Sequence, residues 1–325
     1  MKTGLILEGG ALRGLFTAGA LDVFMEAGIV FDGAVGVSAG ACFGCNLKSR
    51  QQGRVIRYNK RFARDPRYFS WMSLFKSGDL FNADFCYREL PLELDPFDCA
   101  AYDANPMEFH LSVTDCETGR PVYRRLDRAD KTAFRWMRAS ASMPLVSRPV
   151  EIGGRFYLDG GLSDGIPLAY FESLGFERNV VITTRPHGYR KFPSRKFALL
   201  KPFFRRFPAV YRALTTRHEW YNAALRHIDE QVAAGCAFLI CPESALPISR
   251  VCHNSDTMQK VYDIGRAAAE RHLPQVRSFL LSFTSGSSLP PSACTPGGIS
   301  HACCIRLEGD EECQNCLKQK PLRGR

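Results

Sequence analysis

Gly4-Leu5-Ile6-Leu7-Glu8-Gly9-Gly10-Ala11-Leu12-Arg13-Gly14 opens the part of the chain whose reading decides the fold. A short apolar run ends on a glycine-rich turn. Leu15, Ala18, Leu21, Phe24 and Met25 then recur at the spacing of one helical face, as far as about Ala27. A second apolar segment, Ile29-Val30-Phe31, leads through Asp32-Gly33-Ala34-Val35 into Gly36-Val37-Ser38-Ala39-Gly40, where small residues begin a second helix. The chain therefore starts with two strand–helix units, each turning on glycine.

The second turn matches G-x-S-x-G, in which a serine stands on a sharp strand-to-helix bend with its hydroxyl exposed. Gly36 and Gly40 fit because such a bend leaves no room for side chains beside the nucleophile. The following helix points its free N–H groups at the place where negative charge would develop. The first turn has two readings. Gly9, Gly10 and Gly14 either serve only a tight strand–helix connection, or their loop supplies N–H groups that face Ser38 as an oxyanion hole. Nucleotide binding is disfavoured: the spacing is Gly-Gly-x-x-x-Gly rather than G-x-G-x-x-G, and no Gly-Lys-Ser/Thr follows.

At 325 residues with 45% hydrophobic content, the chain is long enough for one large domain or two small ones. Its net charge of +10 points to an anionic partner, a phospholipid surface or nucleic acid. Lys2 is followed by few apolar residues before Glu8, so no cleavable signal is expected, and no apolar run approaches the ~20 residues of a membrane span. Eight of the 13 cysteines are scattered up to Cys252 and five gather near the C-terminus, a pattern of reduced cytosolic thiols.

Between Lys48 and Tyr87 basic and aromatic residues mix, including Arg54, Arg57, Tyr58, Tyr68 and Trp71. An exposed helix with a solvated basic face is expected for most of them; a wall or lid over the Ser38 pocket is the alternative. Glu108–Asp115 and Pro121–Arg124 read as a hairpin around Glu117-Thr118-Gly119-Arg120, with Asp115 a rival acid or a turn former. A helix over about 129–139 leads into Ala139-Ser140-Ala141-Ser142-Met143-Pro144. A small hairpin over 150–158 then delivers Asp159-Gly160-Gly161. An aspartate at a strand end before two glycines is either a plain turn or a side chain aimed into a cleft.

Val180–Thr184 reads as a buried strand. From Arg185 to Arg217 there is no Asp or Glu, and cations interleave with Phe192, Phe197, Phe203, Phe204 and Phe207. That composition fits an interfacial segment on anionic lipid; no RNA-binding motif accompanies it. A last strand at 238–242 and a helix over about 255–272 follow. Residues 284–325 read as a linker and a Cys-rich tail, probed for metal only by one Cys-x-x-Cys pair, and disorder is expected there.

A Ser–acid–His triad in the order Ser38, Asp159, then His187, His218, His227 or His253 would make an esterase acting on soluble esters. Against it, Ser38 comes within the first two strand–helix units, and the histidines stand in basic, turn-like or helical surroundings. Glu8-Gly9-Gly10-Ala11-Leu12-Arg13-Gly14, Gly36-Val37-Ser38-Ala39-Gly40 and Asp159-Gly160-Gly161 together resemble the three signature blocks of the patatin-like phospholipases, lipid acyl hydrolases of the bacterial type. The Ala-Ser-x-Ser-x-Pro stretch is also similar, and the likeness runs over about 4–280. The chain departs from that pattern at Glu8 and Ala11, where the family's first block often reads Asp-Gly-Gly-Gly.

The resemblance implies a three-layer α/β/α sandwich with a mainly parallel central sheet and a nucleophile elbow near the N-terminus. It further implies a domain over 1–283 and a Ser–Asp dyad without histidine, metal or cofactor. In that dyad Ser38 attacks the ester, Asp159 takes its proton and the Gly9–Ala11 loop holds the oxyanion. Arg13 belongs to the motif without an assigned role. The expected substrate is a phospholipid or lysophospholipid, met by a cytoplasmic protein at the inner face of the membrane through 185–217. A silent lipid- or RNA-binding protein is the reading outside enzymology.

Overall fold

The computed structural model describes residues 1–281; the linker and Cys-rich tail expected at 284–325 lie outside the described residues. Within them, eight strands form one sheet: β1 (Lys2–Leu7), β2 (Gly33–Val37), β3 (Glu108–Asp115), β4 (Pro121–Arg125), β5 (Val150–Ile152), β6 (Arg155–Asp159), β7 (Phe176–Ile182) and β8 (Ala237–Ile240). Their order is β5-β6-β3-β2-β1-β7-β8, with β4 added to β3. β3, β2, β1, β7 and β8 run parallel, while β4, β5 and β6 are antiparallel additions at one end.

Alternation along the parallel strands sets the layers. Leu5 and Leu7, Ala34, and Val180 and Ile182 point into one core; Ile6, Val35 and Val181 point into another. The first face is covered by α1 (Gly14–Glu26), α2 (Ala39–Lys48), α3 (Arg54–Arg61), α6 (Lys131–Ala141) and α9 (Ser255–Leu281), with the short helices α4 (Trp71–Ser77) and α5 (Cys99–Ala104) at its margin. The second face is covered by α7 (Leu168–Ser173) and α8 (Pro208–Ala233) through Leu168, Phe171, Tyr221 and Ile228. Burying each such large side chain stabilises the fold by about 1.5–3 kcal/mol. The result is the three-layer α/β/α architecture with a mainly parallel sheet.

The register around β3 positions the site. Val113 and Thr114 pair with both β4 and β6, which therefore lie on opposite edges of β3. Ser112 pairs with β2 through Val37 and with β4 through Tyr123. β2 and β6 thus share one edge of β3 and meet end to end, Val37 across from Ser112 and Asp159 across from Val113.

Three expectations are corrected. Arg54 is not on a solvated face: it is buried, donating to the Asp95 carbonyl and to Asn46 Oδ1 and pairing with the Asp95 carboxylate at 3.2 Å. The 185–217 stretch is not interfacial throughout, because Phe204, Val210 and Leu214 close a third core against Cys116, Leu158 and Leu162. The last helix does not stop near His272 but continues through Pro274 to Leu281, since Val276 is buried and Phe279 and Leu280 pack on the main core. That packing offsets the hydrogen bond a mid-helix proline removes.

Candidate active site

Ser38 stands between the last residue of β2 and the first of α2, with φ 56° and ψ −120°. A residue with a Cβ held there costs of order 1–3 kcal/mol, so its surroundings must enforce it. Gly36 and Gly40 allow the bend by close approach: a Cβ on Gly36 would strike the Gly40 backbone, and one on Gly40 the Leu7 and Glu8 carbonyls. The buried Ser140 of α6 completes the clamp. Its hydroxyl accepts from the Ser38 N–H at 3.0 Å and donates to the Ser112 carbonyl at 2.7 Å.

The first glycine loop runs directly beside Ser38. A Cβ on Gly9 would lie 2.8 Å from the Val37 carbonyl oxygen and 3.0 Å from the Ser38 Cβ. Gly10 rests on the Thr184 side chain, and Gly14 begins α1 against Ala39 and Phe43. The left-handed backbone of this loop falls on Ala11, at φ 49°, rather than on a glycine. Among the described residues, no hydrogen bond takes up the N–H of Gly10 or Ala11.

Glu8, where the motif's usual residue is Asp, is buried and reaches across the sheet. Its Oε2 accepts from the Thr184 N–H at 2.6 Å and Oγ1 at 3.1 Å, and its Oε1 from the Tyr221 hydroxyl at 2.6 Å. The longer acid ties the ends of β1 and β7 to α8. Arg13 lies in the short turn Ala11–Arg13 with its Nε buried and unpartnered.

Asp159 ends β6, where the shared edge of β3 brings it to Ser38. Both are buried, 6% and 8% exposed, and the Ser38 side chain is close enough to the Asp159 carboxyl to act on its pKa. Asp159 Oδ1 also accepts the Gly161 N–H at 2.7 Å. Burial pushes the Asp159 pKa up, against the pull of the Ser38 hydroxyl, Arg217, the Gly161 N–H and Lys191. A Cβ on Gly160 would strike the Ser112 carbonyl. The loop beyond is fixed by Thr114 Oγ1, which donates to the Asp159 carbonyl at 2.8 Å, and by the Tyr123 hydroxyl, which donates to Asp164 at 2.6 Å.

Ser38 opens onto an apolar cavity of about 120 Å³. Ala11, Leu12, Cys42, Tyr58, Tyr68, Cys86, Tyr87 and Met137 are among its lining, so the 48–87 stretch does wall the Ser38 pocket. Burial pushes the Cys42 and Cys45 thiols up to about 11 and about 12, which keeps both protonated.

The rival residues go elsewhere. His187 faces Asp229, His227 pairs with Glu172 at 2.6 Å, His218 bonds the Thr215 carbonyl, and His253 bonds the Ala63 carbonyl and stacks on Phe69. None of the four lines the cavity at Ser38. Asp115 is a turn former, accepting from the Glu117 and Thr118 N–H groups and pairing with Arg155 at 2.7 Å.

Sequence reasoning passed over the roles of four residues. Ser140 lay in a noted block, but its role depends on a helix packing across β2 and β3. Glu8 has partners in β7 and α8 that no local pattern reveals. Arg217 and Lys191 belong to the stretch read as lipid-facing, yet both act on Asp159.

Residues 5–172 match the model of the patatin-like phospholipases, and residues 207–281 match a domain of unknown function, DUF6363. The uncharacterized protein YjjU of Escherichia coli K12 is 32% identical over 198 residues, 57% of this chain and 52% of its own. Lysophospholipase nte1 of Emericella nidulans is 28% identical over 53% of this chain and 11% of its own length. Lysophospholipase NTE1 of Coccidioides immitis is 28% identical over 61% and 13%. The chain thus spans about half the length of the bacterial relative and a small part of the fungal ones. Among solved structures, VipD from Legionella pneumophila aligns over 84% of this chain and 67% of its own, at TM-score 0.41 and 12% identity. Since the matched region takes in Gly9, Ser38 and Asp159 together, the chain belongs to the patatin-like phospholipase family.

Proposed function

We propose that the protein is a serine acyl hydrolase that cleaves carboxylic esters of phospholipids or lysophospholipids through a Ser38–Asp159 dyad. The observation that carries this reading is a strained serine beside a buried aspartate, opening onto an apolar cavity that no histidine lines among the described residues. The Ser38 hydroxyl attacks the ester carbonyl and passes its proton to Asp159, whose raised pKa makes it a stronger base than an exposed carboxylate. The carbonyl oxygen, now negative, is received by the free N–H groups of Gly10 and Ala11, with Gly9 allowing their approach. Asp159 returns the proton to the departing alcohol. Water then adds to the acyl-Ser38 ester, giving its proton to Asp159, and the fatty acid leaves as Ser38 is reprotonated.

The cavity takes the acyl chain. Trp71, Met72 and Phe75 on α4, with Phe192, Leu199 and Phe203 on the basic stretch, are exposed and suit docking on an anionic membrane surface. Among the described residues no helix is long and apolar enough to cross a membrane.

Fluorophosphonate labelling read by intact mass tests the dyad. One adduct is expected on the wild-type protein, none on Ser38→Ala and slowed labelling on Asp159→Asn. A folded wild-type protein that takes no adduct at Ser38 overturns the hydrolase reading. Loss of turnover in His253→Ala or His227→Ala would return it to a triad.

A further inference from the structure

Two cations outside the proton transfer, Arg217 and Lys191, act on the Asp159 carboxylate. Arg217 of α8 brings a terminal nitrogen within 3.2 Å of the point where a Gly161 Cβ would sit, and Asp159 Oδ1 is 3.0 Å from that same point. The two groups close no ion pair, and the Arg217 Nε is buried without a partner. Arg13 is in the same condition: its Nε is buried and unpartnered, and among the described residues its side chain makes no hydrogen bond or ion pair. Lys191 is fixed between them. Its backbone N–H and carbonyl are both bonded by the Asn222 side chain of α8, and its Nζ lies 3.1 Å from the centroid of the Tyr221 ring.

Burial, joined by repulsion from Arg217, Arg13 and Arg185, pushes the Lys191 pKa down to about 6 against the attraction of Glu8. Arg250 adds to the positive field at Arg13 and Arg217. Among the described residues, the carboxylates that act on this group of basic side chains are Glu8 and Asp159, and Glu8 has both oxygens occupied by Thr184 and Tyr221. In Arg13 and Arg217 only the Nε is both buried and unpartnered, so the terminal nitrogens of these two guanidinium groups stay accessible, with no acceptor of their own among the described residues. Such a group beside a reactive serine has the character of a receptor for an anion.

The geometry points to a phosphate subsite in which Arg217, Lys191 and Arg13 receive the phosphodiester of the lipid headgroup while Ser38 faces the ester. Phosphate is the fitting anion because a guanidinium binds it with two parallel N–H donors and an ammonium adds a point charge. This rests on the hydrolase reading and deepens it. It also gives the 207–281 region a task in the site, since α8 supplies Arg217 and the anchor of Lys191.

The test compares short-chain esters that stay monomeric, so attraction to a charged interface does not enter. Substrates are hexanoyl-lysophosphatidylglycerol and monohexanoylglycerol; proteins are the full-length wild type, Arg217→Gln, Lys191→Gln and, as a surface control, Lys201→Gln. In parallel, inorganic phosphate is titrated into the Ser38→Ala protein, with and without Arg217→Gln, by calorimetry.

Expected is a preference for the phosphate-bearing ester in the wild type that falls roughly 10- to 100-fold in Arg217→Gln, the size of one hydrogen bond between charged groups. A smaller fall is expected in Lys191→Gln and none in Lys201→Gln, with phosphate binding dependent on Arg217. Equal loss on both esters would overturn the subsite, because Arg217 would then act only through Asp159. Phosphate binding without a change in ester preference would overturn the headgroup assignment and leave a site for free phosphate. If Arg217→Gln does not fold, the Lys191→Gln preference and phosphate binding to Ser38→Ala decide the matter. Ester turnover that survives in Ser38→Ala would defeat the hydrolase reading alone, since the calorimetric arm does not depend on it.

Discussion

Two stretches of this chain meet at Ser38 and Asp159, and each has a chemistry the other lacks. From α2 through the 81–97 region and α6 come the neutral, apolar walls of the cavity, where even the thiols are held protonated. From the loop after β7 and from α8 come Lys191 and Arg217, which act on Asp159, with Arg185 acting on Lys191. Both stretches looked alike as sequence, basic residues interleaved with aromatics. What separates them is partnership: Arg54 and Arg57 share the Asp95 carboxylate, at 3.2 and 2.8 Å, whereas the 185–217 stretch has no acid of its own. The lesson is that a basic aromatic stretch becomes an apolar wall or an anion receptor according to the carboxylates the fold brings to it.

The largest effect should come where the two halves join. Ser38→Ala and Asp159→Asn are each expected to lower kcat/KM by about 10³-fold or more, as loss of a nucleophile or its base does elsewhere. Asp159→Asn should do so without loss of stability. Its folded pKa is raised, so the ionised form is disfavoured by the fold, and the contribution of this group falls as pH rises above the unfolded value near 3.8. A neutral amide removes that penalty at pH 7, and an unchanged or higher Tm by calorimetry checks it.

Next in size is the apolar half. Ala141→Leu pushes a larger side chain into the cavity and should reduce kcat/KM for long acyl chains relative to short ones by roughly 10- to 200-fold, the usual worth of a blocked methylene site. Headgroup preference should hardly move, the mirror image of the Arg217→Gln result. If acyl and headgroup preferences shift together in either variant, the division of labour is wrong.

Ser140→Ala tests the clamp between the halves. It leaves the Ser38 N–H and the Ser112 carbonyl unpaired in the core, a loss of about 1–3 kcal/mol in urea unfolding. A fall in kcat with little change in KM should accompany it.

Smallest is the pH effect. The acid limb of kcat/KM for the neutral ester should lie above the ordinary carboxylate range near 4, because burial raises Asp159. Preference for the phosphodiester should weaken as pH rises past about 6, where Lys191, facing Arg217, Arg13, Arg185, Glu8 and the Tyr221 ring, loses its proton. Rates on both substrates across pH 4–8 would resolve the two trends.

Local pattern made much of this readable. Gly36–Gly40 had to be a tight bend with Ser38 at its apex, and the strand before it and the helix after it followed from the local pattern. Asp159 was readable as a strand end before two glycines, though not its distance from Ser38, which depends on β3 pairing two strands far apart in sequence. Ser140 and Glu8 were hidden for the same reason: each acts on a partner more than a hundred residues away. The glycine loop misled in one detail, since its left-handed position fell on Ala11, where sequence shows only a departure from the usual glycine.

Because β2 and β6 abut on one edge of β3, the spacing of nucleophile and base works like a ruler graduated in whole residues. Backbone pairing cannot slide by a fraction, and a slip of one residue would turn Asp159 to the opposite face of the sheet. The site therefore has two conditions, aligned or lost, with no gradual loosening between them. Catalytic competence should report on the integrity of the sheet itself, vanishing at the same denaturant concentration as the β-structure and not before it.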